Sequence, residues 1–173
     1  MGFRDLVLFI GYGEVGNSLK TTPERIQEYI DMSCSVKVYD PLQNSWCTHF
    51  VYAVVEWAGM KGKIAKTPLG QQSVSRMFDA FPTTTDPRPG DLYYMKTVGG
   101  KTTHHIGLVS KVYDSEIESL DGNSGDWHDK RTNWAWTLPN GQSGGGIGGG
   151  MVCLNTRKRV EITNFLRLTP GDD

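Results

Sequence analysis

The spacing of apolar residues follows a helical repeat in the first half of the chain and an alternating repeat in the second half. One segment has apolar residues at helical spacing, so that each lies three or four positions from another: Cys47, Phe50, Val51, Val54 and Ala58. This spacing predicts a helix over residues 44–58. Asn44 or Ser45 can cap its start, and Gly59 can end it.

Shorter helical patterns lie on both sides of this segment. Thr22 is a candidate N-cap and Pro23 suits the first position of a helix, which predicts a helix that continues to Ile30. Residues 71–81 predict another helix, with Met77 on its inward face. Two further segments are a short apolar helix or strand at 3–10 and a turn at 11–16.

Beyond residue 87 the chain is rich in β-branched and aromatic residues, and strands replace helices. The predicted strands are 91–96, 104–112, 117–121 and 160–168. Turns at Gly99-Gly100 and at 113–115 would join the first three strands as hairpins. Helices followed by an antiparallel sheet predict the α+β class, in a single domain that spans residues 1–173.

Charge and composition exclude several classes of function. The formal net charge of −1 offers no basic surface for nucleic acid, and the run Arg157–Arg159 is typical of a solvated strand or turn face. No stretch approaches the ~20 apolar residues of a membrane span, and the apolar run that ends at Ile10 is not followed by a cleavage site. We therefore expect synthesis in the cytoplasm without a signal peptide.

The cysteines and histidines fit neither a disulfide framework nor a metal site. Cys34, Cys47 and Cys153 form an odd and sparse set without a Cys-x-x-Cys pair. The four histidines do not fall at the spacings of zinc ligands. We therefore expect reduced thiols, no metal and no organic cofactor.

Cys47 lies in the first turn of the predicted 44–58 helix, where a thiol becomes reactive. Backbone N–H groups are unpaired there and the helix dipole is positive, so the pKa of a thiol falls and its thiolate is favoured. The same N–H groups can hold a developing oxyanion in acyl transfer. A buried structural cysteine explains the helix position equally well.

The predicted strand that begins at His104 offers a base for this thiol. Alternation places His105 and Gly107 on one face and His104 on the other, and Gly107 leaves room beside the imidazole of His105. Asp121 or Asn123, on the next antiparallel strand, would lie beside His105 and accept its ring N–H. A cysteine, a histidine and an acid or amide are what an activated thiol requires.

Four segments together resemble the CHAP family of peptidoglycan amidases and peptidases, which is similar to the NlpC-type cell-wall peptidases. They are Trp46–Val51, Pro89–Tyr94, His105–Val109 and Leu120–Asn123. The segment Gly13–Gly16 and the helix after Thr22 also resemble the start of a bacterial subgroup, so the resemblance covers most of residues 11–125. One departure is Asp121, which stands where many CHAP members have the longer Glu.

The resemblance implies a papain-like α+β fold and a peptidoglycan hydrolase. N-terminal helices would present the nucleophile at a helix N-terminus, packed on a C-terminal antiparallel β-sheet. The implied catalytic set is Cys47, His105 and Asp121 or Asn123. The expected reaction is cleavage of an amide bond of the stem peptide, as an N-acetylmuramoyl-L-alanine amidase or as an endopeptidase.

Residues around the nucleophile are further candidates for the site. Gln43 is a candidate oxyanion donor, and Trp46 is a candidate substrate contact. The segment 126–153, which contains several tryptophans, would either wrap the substrate groove or pack in the core. Its Gly-rich stretch 141–150 is typical of a surface loop.

A catalytic domain of this kind fits two modes of delivery. One is an antibacterial effector injected by a type VI-like secretion machine, and the other is a phage lysin. Either would act in the periplasm or cell wall, and an effector implies a cognate immunity protein that blocks the groove at Cys47. The alternatives are a cytosolic cysteine protease or acyltransferase, and a non-catalytic cell-wall or protein-binding module on the same fold.

Overall fold

The structure is a computed structural model in which helices and an antiparallel sheet pack together. It describes residues 1–19, 21–34, 45–62, 64, 74–98, 101–124, 136–137, 143–144 and 150–169. Four α-helices lie within these ranges: α1 (Phe3–Gly13), α2 (Pro23–Ser33), α3 (Cys47–Trp57) and α4 (Val74–Ala80). The predicted hairpin turn at Gly99-Gly100 lies outside them.

The described strands form one large sheet and one small pair. The strands are β1 (Thr83–Thr84), β2 (Leu92–Val98), β3 (Lys101–Val112), β4 (Glu116–Ser124), β5 (Trp136–Thr137), β6 (Ser143–Gly144), β7 (Met151–Lys158) and β8 (Asn164–Leu166). The large sheet has six strands in the order β1-β8-β2-β3-β4-β7, and β5 pairs with β6 separately. Every pairing in the large sheet is antiparallel. The mixed helix-and-sheet class is therefore confirmed.

The helix α3 packs on β3 and β4 and is buried from Cys47 to Val55. Its approach to the sheet depends on Gly122 of β4, because a Cβ atom there would lie 2.5 Å from Cβ of Phe50. Leu108 and Leu120 of the sheet face this helical layer and belong to the main core. The N-terminal end of α3, where Cys47 lies, is therefore held close to the strand β4.

The first helix is longer than its sequence pattern predicts. The segment 3–10 is helical, but the turn predicted at 11–16 is wrong in its first part because α1 continues to Gly13. Gly11 faces the sheet, and a Cβ atom there would lie 3.1 Å from Leu120 and 3.3 Å from Leu108. Glycine at this position permits close packing of helix on sheet, rather than a turn.

A buried polar cluster at Glu14 joins the end of α1 to α2. The carboxylate accepts hydrogen bonds from Arg25 Nε at 2.8 Å and from the hydroxyl of Tyr29 at 2.7 Å. The ring of Tyr29 in turn packs 6.0 Å from Trp46 and 5.7 Å from Phe50, measured between ring centroids. This cluster supports the residues on both sides of Cys47.

The turn before β2 fixes that strand against β3. Gly90 has a φ of 88°, and a Cβ atom there would lie 2.7 Å from Cβ of Arg4. The Gly90 N–H donates to the carbonyl of Val109 at 2.8 Å, and the Val109 N–H donates to the carbonyl of Asp91 at 2.7 Å. The buried Asp91 carboxylate also forms an ion pair with Arg167 at 3.1 Å. The segment Pro89–Tyr94 therefore has a structural role here.

The sequence pattern missed β7 and overextended the last strand. Arg159–Glu161 form a 3₁₀ turn, and the strand predicted at 160–168 is limited to Asn164–Leu166. In β7 the inward positions from residue 153 onward are polar or Cys, whereas Leu154 is 41% exposed. Because apolar residues do not occupy the buried positions, hydrophobic alternation gives no signal for this strand.

Candidate active site

Cys47 is the first residue of α3, and it is almost completely buried. The intrahelical hydrogen bonds begin with Phe50 N–H, which donates to the carbonyl of Trp46 at 3.1 Å. The N–H groups of the first turn have no acceptor within the helix, and the positive end of the helix dipole faces the thiol. This location matches the sequence-based prediction for the nucleophile.

His105 of β3 is next to this thiol, and the two groups shift each other's ionisation. Burial opposes ionisation of Cys47, but a hydrogen bond and attraction to His105 outweigh it and lower the pKa of Cys47 to about 7. Burial also disfavours the cationic ring, but Asp121 and Cys47 outweigh it and raise the pKa of His105 to about 9. Between these pKa values the favoured state is a thiolate paired with an imidazolium.

Asp121 of β4 is the acid beside His105. The distance from His105 Nε2 to Asp121 Oδ2 is 3.6 Å, which is an ion-pair contact longer than a hydrogen bond. Burial raises the pKa of Asp121, but the charge of Arg157 and the contact with His105 outweigh it and hold that pKa well below its usual range. Asp121 is therefore an ionised carboxylate that favours the charged form of His105.

The buried Asp121 carboxylate is held by three neighbours. Arg157 forms an ion pair with Oδ2, and Asn155 Nδ2 donates to the same oxygen at 2.7 Å. The hydroxyl of Tyr93 donates to Oδ1 at 2.5 Å and accepts from Arg157 Nε at 3.3 Å. With its oxygens engaged on several sides, the carboxylate is fixed in position and orientation relative to His105.

No hydrophobic pattern in the sequence indicates this support, and the prediction that Arg157 lies on a solvated face is wrong. Arg157 is only 5% exposed, whereas its neighbour Lys158 is exposed. Pairing with a buried carboxylate offsets the desolvation cost that otherwise keeps an arginine out of a protein interior. The available signal was the alternation Asn155-Thr-Arg157, which places two polar side chains on one strand face.

Gly107 is the residue that allows this close packing around Asp121. A Cβ atom at Gly107 would lie 2.3 Å from Asp121 Oδ1 and 2.7 Å from the ring of Tyr93. The sequence predicted that Gly107 leaves room for a group beside His105, and the groups that fill this space are Asp121 and Tyr93. The ring of Tyr93 also packs on that of His105, with the two ring centroids 6.1 Å apart.

Asn123 lies near the site but not beside His105. Asp121 pairs with Cys153 and Ser124 pairs with Met151, so β4 contains one more residue than β7 over this stretch. The extra residue forms a β-bulge, which redirects the following side chain. Asn123 has a φ of 54° in this bulge, and its Nδ2 donates to Ser45 Oγ at 3.0 Å. Of the two candidate orienters, Asp121 is the one in contact with His105.

The other predicted site residues have different outcomes. Trp46 is fully buried and packs on Tyr29, so its side chain belongs to the core and its assignment as a substrate contact is corrected. Gln43 lies outside the described residues, as do Trp127, Trp134 and most of the Gly-rich stretch 141–150.

The two remaining histidines of this region lie apart from the thiol. His104 is exposed and stacks on Tyr94, with ring centroids 5.7 Å apart. His49 is fully buried in α3, where its Nδ1 makes a hydrogen bond with Ser33 Oγ at 2.5 Å. Burial lowers the pKa of His49 to about 4, so its ring is neutral at pH 7. Within the described ranges no group of three His, Cys, Asp or Glu side chains is arranged as a metal site.

Comparisons with known proteins give no relative. No protein-family model matches the chain, and no curated protein and no solved structure matches it either. Among the helices described, none is both long enough and apolar enough to cross a membrane.

Proposed function

We propose that this protein is a cysteine hydrolase that cleaves an amide bond of the peptidoglycan stem peptide. The observation that carries the proposal is the contact series from Cys47 to His105 to the ionised Asp121. It lowers the pKa of the thiol to about 7 in a setting where burial alone would raise it. Perturbed pKa values of this kind are concentrated at catalytic sites.

The proposed reaction is acyl transfer through a thioester. The Cys47 thiolate attacks the amide carbonyl, and the oxyanion binds backbone N–H groups that include that of Cys47. The tetrahedral intermediate collapses, the C–N bond breaks, and His105 gives its proton to the leaving amine. His105 then accepts a proton from water, which attacks the thioester and releases the carboxylic acid and the thiolate.

The order and placement of the elements support a papain-like arrangement. A nucleophile at a helix N-terminus packs on an antiparallel sheet, whose neighbouring strands β3 and β4 supply the base and the acid. This arrangement, together with the CHAP-like segments of the sequence, is the reason for proposing peptidoglycan as the substrate. The cleaved bond would be the amide that an N-acetylmuramoyl-L-alanine amidase cuts or one that an endopeptidase cuts.

Delivery and partners follow from the proposed substrate. A hydrolase of this kind would act in the periplasm or cell wall, as an antibacterial effector of a type VI-like system or as a phage lysin. For an effector, a cognate immunity protein would protect the producing cell by covering Cys47. Co-purification of the protein with the product of an adjacent gene would identify such a partner, and a neighbouring holin gene would favour the lysin.

Digestion of purified sacculi tests this proposal. Wild-type protein should release fragments whose masses identify the bond, and Cys47→Ala should release none while keeping the wild-type melting temperature. Cys34→Ala is the matched control, because it removes another buried thiol and should retain activity. Release of fragments by Cys47→Ala at the wild-type rate would refute the proposal. Activity on proteins but not on sacculi would favour a cysteine protease or acyltransferase.

A further inference from the structure

Ser45 lies beside the nucleophile in a position that no step of the proposed reaction uses. It precedes α3, and its Oγ is 3.3 Å from Cys47 Sγ. A thiolate has no proton, so in the ionised state of Cys47 the sulfur can only accept and the hydroxyl must donate. Ser45 is therefore a donor to the reacting atom itself.

Asn123 orients that hydroxyl. Its side-chain amide nitrogen, which can only donate, lies 3.0 Å from Ser45 Oγ. Because Ser45 Oγ accepts this hydrogen bond, its own proton points away from Asn123, and Cys47 Sγ at 3.3 Å is an acceptor within its reach. The sequence of donors is Asn123 to Ser45 to Cys47.

The backbone around Asn123 is shaped for this contact. The φ of 54° is in the left-handed region, which is unfavourable for most residues and least so for Asn among those with side chains. The β4 bulge between Asp121 and Ser124 creates this conformation. Unusual backbone of this kind is concentrated at functional sites.

We propose that Ser45 is a catalytic residue that stabilises the Cys47 thiolate, and that Asn123 is the positioning residue that orients it. The catalytic role of Ser45 rests on the proposed function, whereas its hydrogen bond to the thiolate does not. The donor would favour the attacking thiolate, and it would favour the same thiolate when it leaves the thioester. Among the described residues, His105 is the charged group in contact with the sulfur, and Asp121 contacts both His105 and Arg157.

The test is a pH titration of the thiolate's ultraviolet absorbance, with the Cys47→Ala signal subtracted. Ser45→Ala should raise the midpoint by roughly one pH unit, the size expected when a hydrogen bond to an ionised group is lost. Ser45→Thr keeps the hydroxyl and should restore the wild-type midpoint. Ser110→Ala is the matched control, because it removes a hydroxyl that donates to Glu118 at 2.7 Å, outside the site.

Substitutions at Asn123 test whether its side chain orients the Ser45 hydroxyl or only maintains the backbone of the β4 bulge. Asn123→Gly removes the amide, and glycine adopts a positive φ without strain, so the midpoint should rise without loss of stability. Asn123→Asp has nearly the same shape, but it accepts the Ser45 proton and adds a negative charge near the sulfur, so it should raise the midpoint further than Asn123→Gly. A purely structural role would leave the midpoint of Asn123→Gly at its wild-type value.

An unchanged or lowered midpoint in both Ser45→Ala and Asn123→Gly would overturn the inference. If Ser45→Ala does not fold, Asn123→Gly decides the result. The titration needs no substrate, so its outcome is independent of sacculus digestion. A shifted midpoint in a protein that does not digest sacculi would uphold Ser45 as the donor and count against the proposed substrate alone.

Discussion

At the scale of single residues, the chemistry depends on opposing effects at one sulfur atom. Burial of Cys47 raises its pKa, whereas His105 and Ser45 lower it, and the lowering effects prevail. Helical and strand periodicity were sufficient to predict Cys47 and His105 as candidates. The choice between Asp121 and Asn123 depends on a one-residue bulge, which a sequence pattern does not reveal.

For the proposed hydrolysis, the pH dependence of the rate follows from the ionisation of this pair. Attack requires the thiolate, so the rate should fall as the pH drops below the pKa of Cys47, about 7. Departure of the amine requires the imidazolium, so the rate should also fall as the pH rises above the pKa of His105, about 9. A bell-shaped profile of kcat/KM between these limits is expected, with limbs that belong to the coupled pair. A profile that stays flat across both limbs would contradict this ionisation scheme.

Neutralising the acid should weaken the pair. Asp121→Asn removes the charge that favours cationic His105, so the pKa of His105 should fall and that of Cys47 should rise. We expect a loss in kcat/KM of roughly 10²-fold or more, because the general acid–base function of His105 depends on this charge. The exposed Asp114→Asn is the control and should retain full activity. Equal kcat/KM values for the two variants would remove Asp121 from the mechanism.

At the scale of secondary-structure elements, the site requires contributions from both layers of the fold. The helix α3 was predicted with its end correct to within one residue, because apolar spacing and Gly59 mark it. The strand β7 was missed, because its inward side chains are polar and are buried only by pairing with Asp121. Hydrophobic periodicity along the sequence indicates where apolar side chains are buried, but it does not indicate buried polar contacts between distant strands.

The strand β7 supplies the stabilising partner of the acid. Arg157→Met leaves the buried Asp121 without its arginine partner, and loss of one member of a buried ion pair destabilises a protein by roughly 3–5 kcal/mol. Lys158→Met changes the adjacent exposed residue and should alter the free energy of unfolding by about 0.5 kcal/mol or less. Urea denaturation of both variants measures the difference. Equal stabilities would show that Arg157 does not support the buried carboxylate.

The contact between α3 and β4 depends on a glycine. Gly122→Ala would place a Cβ atom 2.5 Å from Phe50, and the helix that bears Cys47 would have to move. We expect destabilisation of about 1–3 kcal/mol, the usual effect of overpacking, together with reduced activity. Gly13→Ala is the control, because its Cβ atom would meet no atom within 4 Å and alanine favours the helix. Thermal unfolding compares the two, and a Gly122→Ala protein as stable as wild type would contradict close packing here.

At the scale of the whole molecule, the order of the elements was predictable and their placement was not. Periodicity and turn residues predicted helices followed by an antiparallel sheet, and the structure has that order. The contact of Ser45 with Asn123 joins residues 78 positions apart, and that of Asp121 with Arg157 joins residues 36 positions apart. Contacts of this separation are set by strand pairing and helix packing, so they emerge only in the folded chain.

The central claim is that His105 activates Cys47 as a nucleophile, and the rate of thiol alkylation tests it most directly. Wild-type protein and His105→Ala would be treated briefly with iodoacetamide at neutral pH, and each cysteine would be quantified by peptide mass spectrometry. In the wild type, Cys47 should react much faster than Cys153, because burial raises the pKa of Cys153 to about 11. In His105→Ala the advantage of Cys47 should be lost. Equal reaction of Cys47 in both proteins would contradict the claim.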